Sequence, residues 1–112
     1  MRGASIAALA CLAILPAAAQ PPSGAELFAR PDKGYCIACH QVPGGAGAAA
    51  GSDVGPPLTG KRMRELGRAR LRAILVDPMA ANPQTLMPPY GRHRILDSAE
   101  IDRIVDYLYA LP

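Results

Sequence analysis

The sequence predicts an all-α fold of three to five short helices, joined by Gly/Pro-rich loops and short of side chains to form a full core. Three observations lead there. No stretch of the 112 residues alternates as a strand would, whereas Ile101, Ile104, Val105, Leu108 and Leu111 make one helical stripe. The chain has 11 Gly and 12 Pro against 1 Phe, 4 Tyr and no Trp, so a small domain has much loop and little to bury. Finally, Cys36-Ile37-Ala38-Cys39-His40 has the C-x-x-C-H spacing that attaches c-type haem, a large apolar group able to supply the missing core. The scarcity of aromatics argues against a module that reads bases by stacking. Three cysteines are too few for a disulfide-stapled miniprotein.

The elements follow in order. Residues 1–19 read as a secretory signal peptide: Arg2, an apolar run from Ile6 to Leu15, then Pro16 and three alanines. That run is too short for a permanent membrane span. Cleavage after Ala19 leaves a domain over 20–112, exported to the periplasm and free of the membrane. It removes Arg2, taking the net charge from +3 to +2, and it removes Cys11, so the odd cysteine belongs to the precursor only. Ser23 to Ala29 predicts a first helix, with Ser23 as N-cap and Glu26 completing a capping box. Pro31 and Gly34 interrupt before the haem motif. Val42 to Gly60 is a Gly/Ala/Pro-rich loop. Met63 to Val76 predicts one helix, weakened at Gly67, with positions 63, 67, 71 and 74 near one face and Asp77-Pro78 at its end. Ala80 to Gly91, with Pro83, Pro88 and Pro89, is a second loop. Asp97 and Glu100 form a capping box for the last helix.

The haem chemistry requires the order of the motif. Two thiols about one turn apart can form thioethers with the two vinyl groups, and His40 directly after them can ligate the iron from one face. A redox dithiol shares the C-x-x-C spacing but belongs with a βαβ pattern that is absent here. A zinc site wants four ligands, and only His93 is left as an obvious fourth. The opposite axial ligand must come from Met63, Met79, Met87 or His93. Thioether ligation suits electron transfer by raising the potential, whereas a second imidazole lowers it. Met63 lies on the apolar helix face and reads as core, and Met79 directly follows a helix end. His93 sits exposed between Arg92 and Arg94. Met87, in Leu86-Met87-Pro88-Pro89, stands on the extended backbone a ligating loop needs, and it is the predicted ligand.

From Ser23 to Leu111 the chain resembles class I cytochrome c. Gly24, Phe28 and Tyr107 match the residues at which that family crosses its first and last helices. Gly55-Pro56-Pro57-Leu58-Thr59-Gly60 matches its Gly-Pro-x-Leu-x-Gly loop. The resemblance implies that the Pro56 carbonyl accepts the second ring N–H of His40 and that Leu58 packs on the haem. More narrowly, the chain is similar to the SoxX family, the monohaem subunits of bacterial SoxAX cytochromes of thiosulfate oxidation. The stretches that carry this are Gly34 to Gln41, Asp53 to Leu58, Arg68 to Val76 and, above all, Asn82-Pro83-Gln84-Thr85-Leu86-Met87-Pro88-Pro89-Tyr90-Gly91-Arg92-His93-Arg94-Ile95-Leu96. One departure is that only three residues precede Ser23 after cleavage, where many SoxX chains have a longer stretch that contacts the partner.

That resemblance implies one covalent haem c and a heterodimer with a SoxA-like haem subunit. In such a complex, an L-cysteine S-thiosulfotransferase, the partner's haem carries the catalysis that joins thiosulfate to a cysteine of the SoxYZ carrier. This chain would take up the electrons and hand them to a small soluble cytochrome. No residue here pairs a nucleophile with a base, so no catalytic residue is expected. Two alternatives stand beside this reading. One is a free-standing periplasmic electron shuttle; the other is a haem sensor or peroxidase, which needs an open distal site. The basic run from Lys61 to Arg72, with Arg64, Arg68 and Arg72 on one face, reads either as a solvated helix face or as a dock for an acidic partner. Nucleic acid is not an expected partner.

Overall fold

The structure, a computed structural model, describes residues 3, 11–45 and 52–112. Residues 1, 2 and 4–10 of the predicted signal segment and residues 46–51 of the first loop lie outside the described residues. Residues 11–19 are exposed and without regular structure, and among the described residues no helix is long and apolar enough to cross a membrane.

Four α-helices and two short 3₁₀ turns make up the regular structure of the described residues, which contain no strand. Helix α1 spans Gly24–Ala29 and begins with the expected capping box: Ser23 accepts from the Glu26 amide while the Glu26 carboxylate accepts from the Ser23 amide. A 3₁₀ turn over Cys36–Ala38 follows. Helices α2 (Gly60–Leu66) and α3 (Arg68–Val76) lead to a second 3₁₀ turn, Pro78–Ala80. Helix α4, Ser98–Tyr109, carries the second capping box, between Asp97 and Glu100.

The single helix predicted over Met63 to Val76 is two helices. The chain breaks at Gly67, whose φ of 79° and ψ of 154° lie in a region essentially reserved for glycine. The break resets the register, so the buried positions are Met63, Leu71 and Leu75 rather than 63, 67, 71 and 74; Ile74 is only half-buried. Helix α2 also starts three residues earlier than predicted, because the Thr59 side chain caps it by accepting from the Arg62 amide.

Helix α4 organises the molecule. Its stripe of Ile101, Ile104, Val105 and Leu108, with Leu111 just beyond, is at most 4% exposed and meets Leu27 and Phe28 of α1, Met63 of α2, and Leu71 and Leu75 of α3 in one core. Gly24 permits the α1–α4 crossing: a Cβ there would overlap the Arg103 carbonyl and stand 2.7 Å from Tyr107 Cβ. Beside it the Phe28 and Tyr107 rings meet edge to face, 5.6 Å apart at 62°. These are the residues that the resemblance places at this crossing.

The basic run has partners that lie far away in sequence. Arg68 pairs with Asp106 and also lies 4.6 Å over the Tyr109 ring. Arg72 reaches Asp102 at 2.7 Å and the Ser98 hydroxyl at 2.6 Å, and Arg64 donates to the Leu111 carbonyl at 2.7 Å. Lys61 pairs with Glu65 one turn on. The face of Arg64, Arg68 and Arg72 is therefore turned onto α4 and its C-terminal exit, leaving Arg62 and Arg70 of the run exposed without such ties.

Candidate haem site

Cys36 is the first residue of the 3₁₀ turn and Cys39 caps its C-terminal end. The turn opens on Tyr35 in the left-handed region, φ 45°, a conformation that costs a non-glycine residue roughly 1–2 kcal/mol. It closes through the Cys39 and His40 amides, both donating to the Cys36 carbonyl. Cys36 is buried, Cys39 is half-buried, and neither forms a disulfide. Burial pushes the Cys36 thiol up to about 12. A redox dithiol needs the opposite in its attacking thiol, a thiolate stabilised near neutral pH, so Cys36 is poorly placed for that part. Among the described residues no three His, Cys, Asp or Glu side chains gather to hold a metal ion.

His40 is fixed from two sides. Its Nδ1 lies 2.7 Å from the Pro56 carbonyl oxygen. A carbonyl can only accept, so Nδ1 carries a proton, and in the neutral ring Nε2 keeps its lone pair. Gly55 lies against the ring: a Cβ at that position would stand 2.6 Å from Nδ1. The Gly55 amide donates to the Cys39 carbonyl at 2.7 Å, and the Leu58 amide donates to Gln41 at 2.8 Å, stitching the Gly-Pro-Pro-Leu loop to the motif. Leu58 is half-buried against the core.

The three methionines of the domain occupy different environments. Met63 is 1% exposed inside the core, and Met79 is 40% exposed on the second 3₁₀ turn. Met87 is half-buried against the core, in a loop with Leu86 at 87% exposure beside it. That loop is built from side-chain turns: Asn82 Oδ1 accepts from the Gln84 amide and Thr85 Oγ1 from the Met87 amide, both at 3.1 Å. Its far end is anchored at Tyr90, which is buried and donates its phenol to the Gly34 carbonyl at 2.7 Å. The sequence string contained Tyr90 without assigning it a role. An aromatic three residues after Met87 beside a Pro-Pro pair was the available signal. His93 is exposed, its amide donating to the Pro89 carbonyl.

The donor set fits haem c. Two unbridged thiols lie on one turn, the imidazole has its free nitrogen defined by a carbonyl, and a thioether stands on a proline-stiffened loop, with partly buried Ile37, Leu58 and Met87 bordering the core. A groove of about 290 Å³ between α3 and α4 is lined by the arginine–aspartate pairs and contains none of these residues.

Helices closing around a C-x-x-C-H turn, with α1 crossed on α4, define an all-α class I cytochrome c. The chain belongs to the family described as cytochrome C oxidase, cbb3-type, subunit III, whose model matches residues 19–108. A cytochrome c domain carries haem c covalently and transfers electrons through it. The comparison with curated proteins found no match. Among solved structures, a chain of the crystal structure of SoxXA from P. pantotrophus is similar in fold, with a TM-score of 0.62 at 22% identity over 78% of this chain and 77% of that one.

Proposed function

We propose that this chain is an exported monohaem cytochrome that transfers electrons as the SoxX-like subunit of a thiosulfate-oxidising complex. The observation that carries the electron-transfer part is the His40–Pro56 hydrogen bond, which engages Nδ1 and leaves Nε2 available as a ligand on the residue that follows the second cysteine. In this reading Cys36 and Cys39 would hold one haem through thioethers, His40 and Met87 would ligate its iron, and Leu58 would pack against it. When bound, the haem supplies a one-electron iron couple. The Pro56 carbonyl orients the His40 ring, and a thioether ligand from Met87 would favour the reduced state of that couple. With two of the chain's own residues as ligands, the iron would offer no open position to a small substrate.

The Asn82-to-Leu96 string and the likeness to a SoxXA chain support the narrower role. In that role a SoxA-like partner joins thiosulfate to a thiol of the SoxYZ carrier. One S–S bond forms, the thiol proton leaves, and two electrons are released. This chain takes them one at a time and passes them to a small soluble cytochrome. Residues 1–19 serve as the leader that brings the chain to the periplasm.

Two measurements test the reading. In the ferric holoprotein the thioether-to-iron charge-transfer band is lost in Met87→Ala and kept in Met79→Ala and Met63→Ala; its survival in Met87→Ala would overturn the ligand assignment. A second haem subunit co-purifies with the tagged chain from periplasm. A chain always recovered alone would leave the free-standing shuttle as the function.

A further inference from the structure

We propose that Tyr90 is a positioning residue for the Met87 sulfur, its phenol tying the Met87 loop to the segment that carries the two thiols. The inference rests on Met87 being the axial ligand. Tyr90 is 7% exposed, and its hydroxyl donates to the Gly34 carbonyl at 2.7 Å across 56 residues of sequence. The acceptor is itself held firmly. The Gly34 amide donates to the Leu27 carbonyl at 3.1 Å, and a Cβ at Gly34 would come within 3.0 Å of both Cys36 Sγ and the Leu27 oxygen. The phenol thus grips backbone packed against the first thiol.

The donor side is equally constrained. The Tyr90 carbonyl accepts from the Ile95 amide at 2.9 Å and the Leu96 amide at 3.1 Å, while the Gly91 amide donates to Val76 at 3.2 Å. Only Pro88 and Pro89 separate Tyr90 from Met87, and their rings fix φ. A shift at Tyr90 therefore reaches Met87 along a stiff backbone instead of dissipating in a flexible one. A phenylalanine would fill the same volume but leave the Gly34 carbonyl buried without this donor. The hydroxyl's contribution is positional: it sets how far the thioether stands from the turn bearing Cys36, Cys39 and His40.

The test uses ferric holoprotein and imidazole as a competing iron ligand. In Tyr90→Phe, imidazole should displace Met87 with an affinity raised about five- to tenfold, the scale of one buried hydrogen bond. Val105→Ala, a core truncation in α4, serves as a destabilised control and should leave imidazole affinity within about twofold of wild type, since it loosens packing without touching this link. Equal imidazole affinity in Tyr90→Phe and wild type would overturn the proposal, as would an equal rise in Val105→Ala. Met87→Ala separates the two levels: retention of its charge-transfer band would remove the ligand assignment itself. Loss of that band together with an unmoved Tyr90→Phe would overturn only the role of Tyr90.

Discussion

At His40 one carbonyl decides which nitrogen can meet a metal, and at Glu100 one ammonium decides whether a buried acid stays charged. Glu100 is 6% exposed, yet its carboxylate accepts from Lys33 at 2.6 Å and from the Asp97 amide at 3.0 Å. Burial pushes its pKa up, but the hydrogen bonds from Lys33 and the Asp97 amide outweigh it, and the group ends below its ordinary 4.5. A carboxyl depressed in the folded state stabilises the fold above its unfolded pKa and loses that contribution as pH falls through the folded one. Glu100→Gln should therefore lower stability by about 1.5–3 kcal/mol at neutral pH, the scale of one charge-assisted hydrogen bond. The deficit should shrink as pH drops below 4.5. Urea titrations of both proteins at neutral pH and in acid check the sign; a deficit that grew in acid would contradict it. The capping-box half of this arrangement is legible in the sequence as Asp97 and Glu100. The Lys33 half is not, since nothing in a one-dimensional pattern joins residues so far apart.

At the scale of elements, Gly67 and the arginine face matter most. The sequence places a helical run across Gly67 because glycine inside a helix costs only about 1 kcal/mol. Tertiary packing overrides that preference by swinging α3 onto α4, and only glycine tolerates the resulting backbone. No atom lies within 4 Å of a Cβ built there, so Gly67→Ala isolates backbone strain from crowding. It should cost about 1–3 kcal/mol, measurable as a lower urea midpoint with an unchanged ferric spectrum. The α3–α4 ion pairs were partly legible. Arg68 and Arg72 stand four apart, as do Asp102 and Asp106, so two helices brought side by side could match them; the sequence does not say that they are brought together. These pairs are exposed, worth roughly 0.2–1 kcal/mol each and screened by salt. Arg72→Ala should therefore lower stability by less than about 1 kcal/mol, with the effect reduced in high salt.

Across the whole molecule, a loop-rich chain with 1 Phe and no Trp holds together by packing its other helices on α4, with Ile37, Leu58 and Met87 partly buried against that core. The motif residues were readable because thioether chemistry demands a fixed order, and the Gly55-to-Gly60 loop because its resemblance named it. The anchoring of the Met87 loop through Tyr90 depends on long-range contacts and needed the fold. The central claim is that His40 and Met87 close both faces of one haem, making an electron carrier rather than a ligand-binding site. Carbon monoxide added to the reduced holoprotein at neutral pH tests this most directly. Wild type should show no carbonyl spectrum while Met87→Ala forms one readily; wild type binding carbon monoxide as readily as the variant would contradict the account.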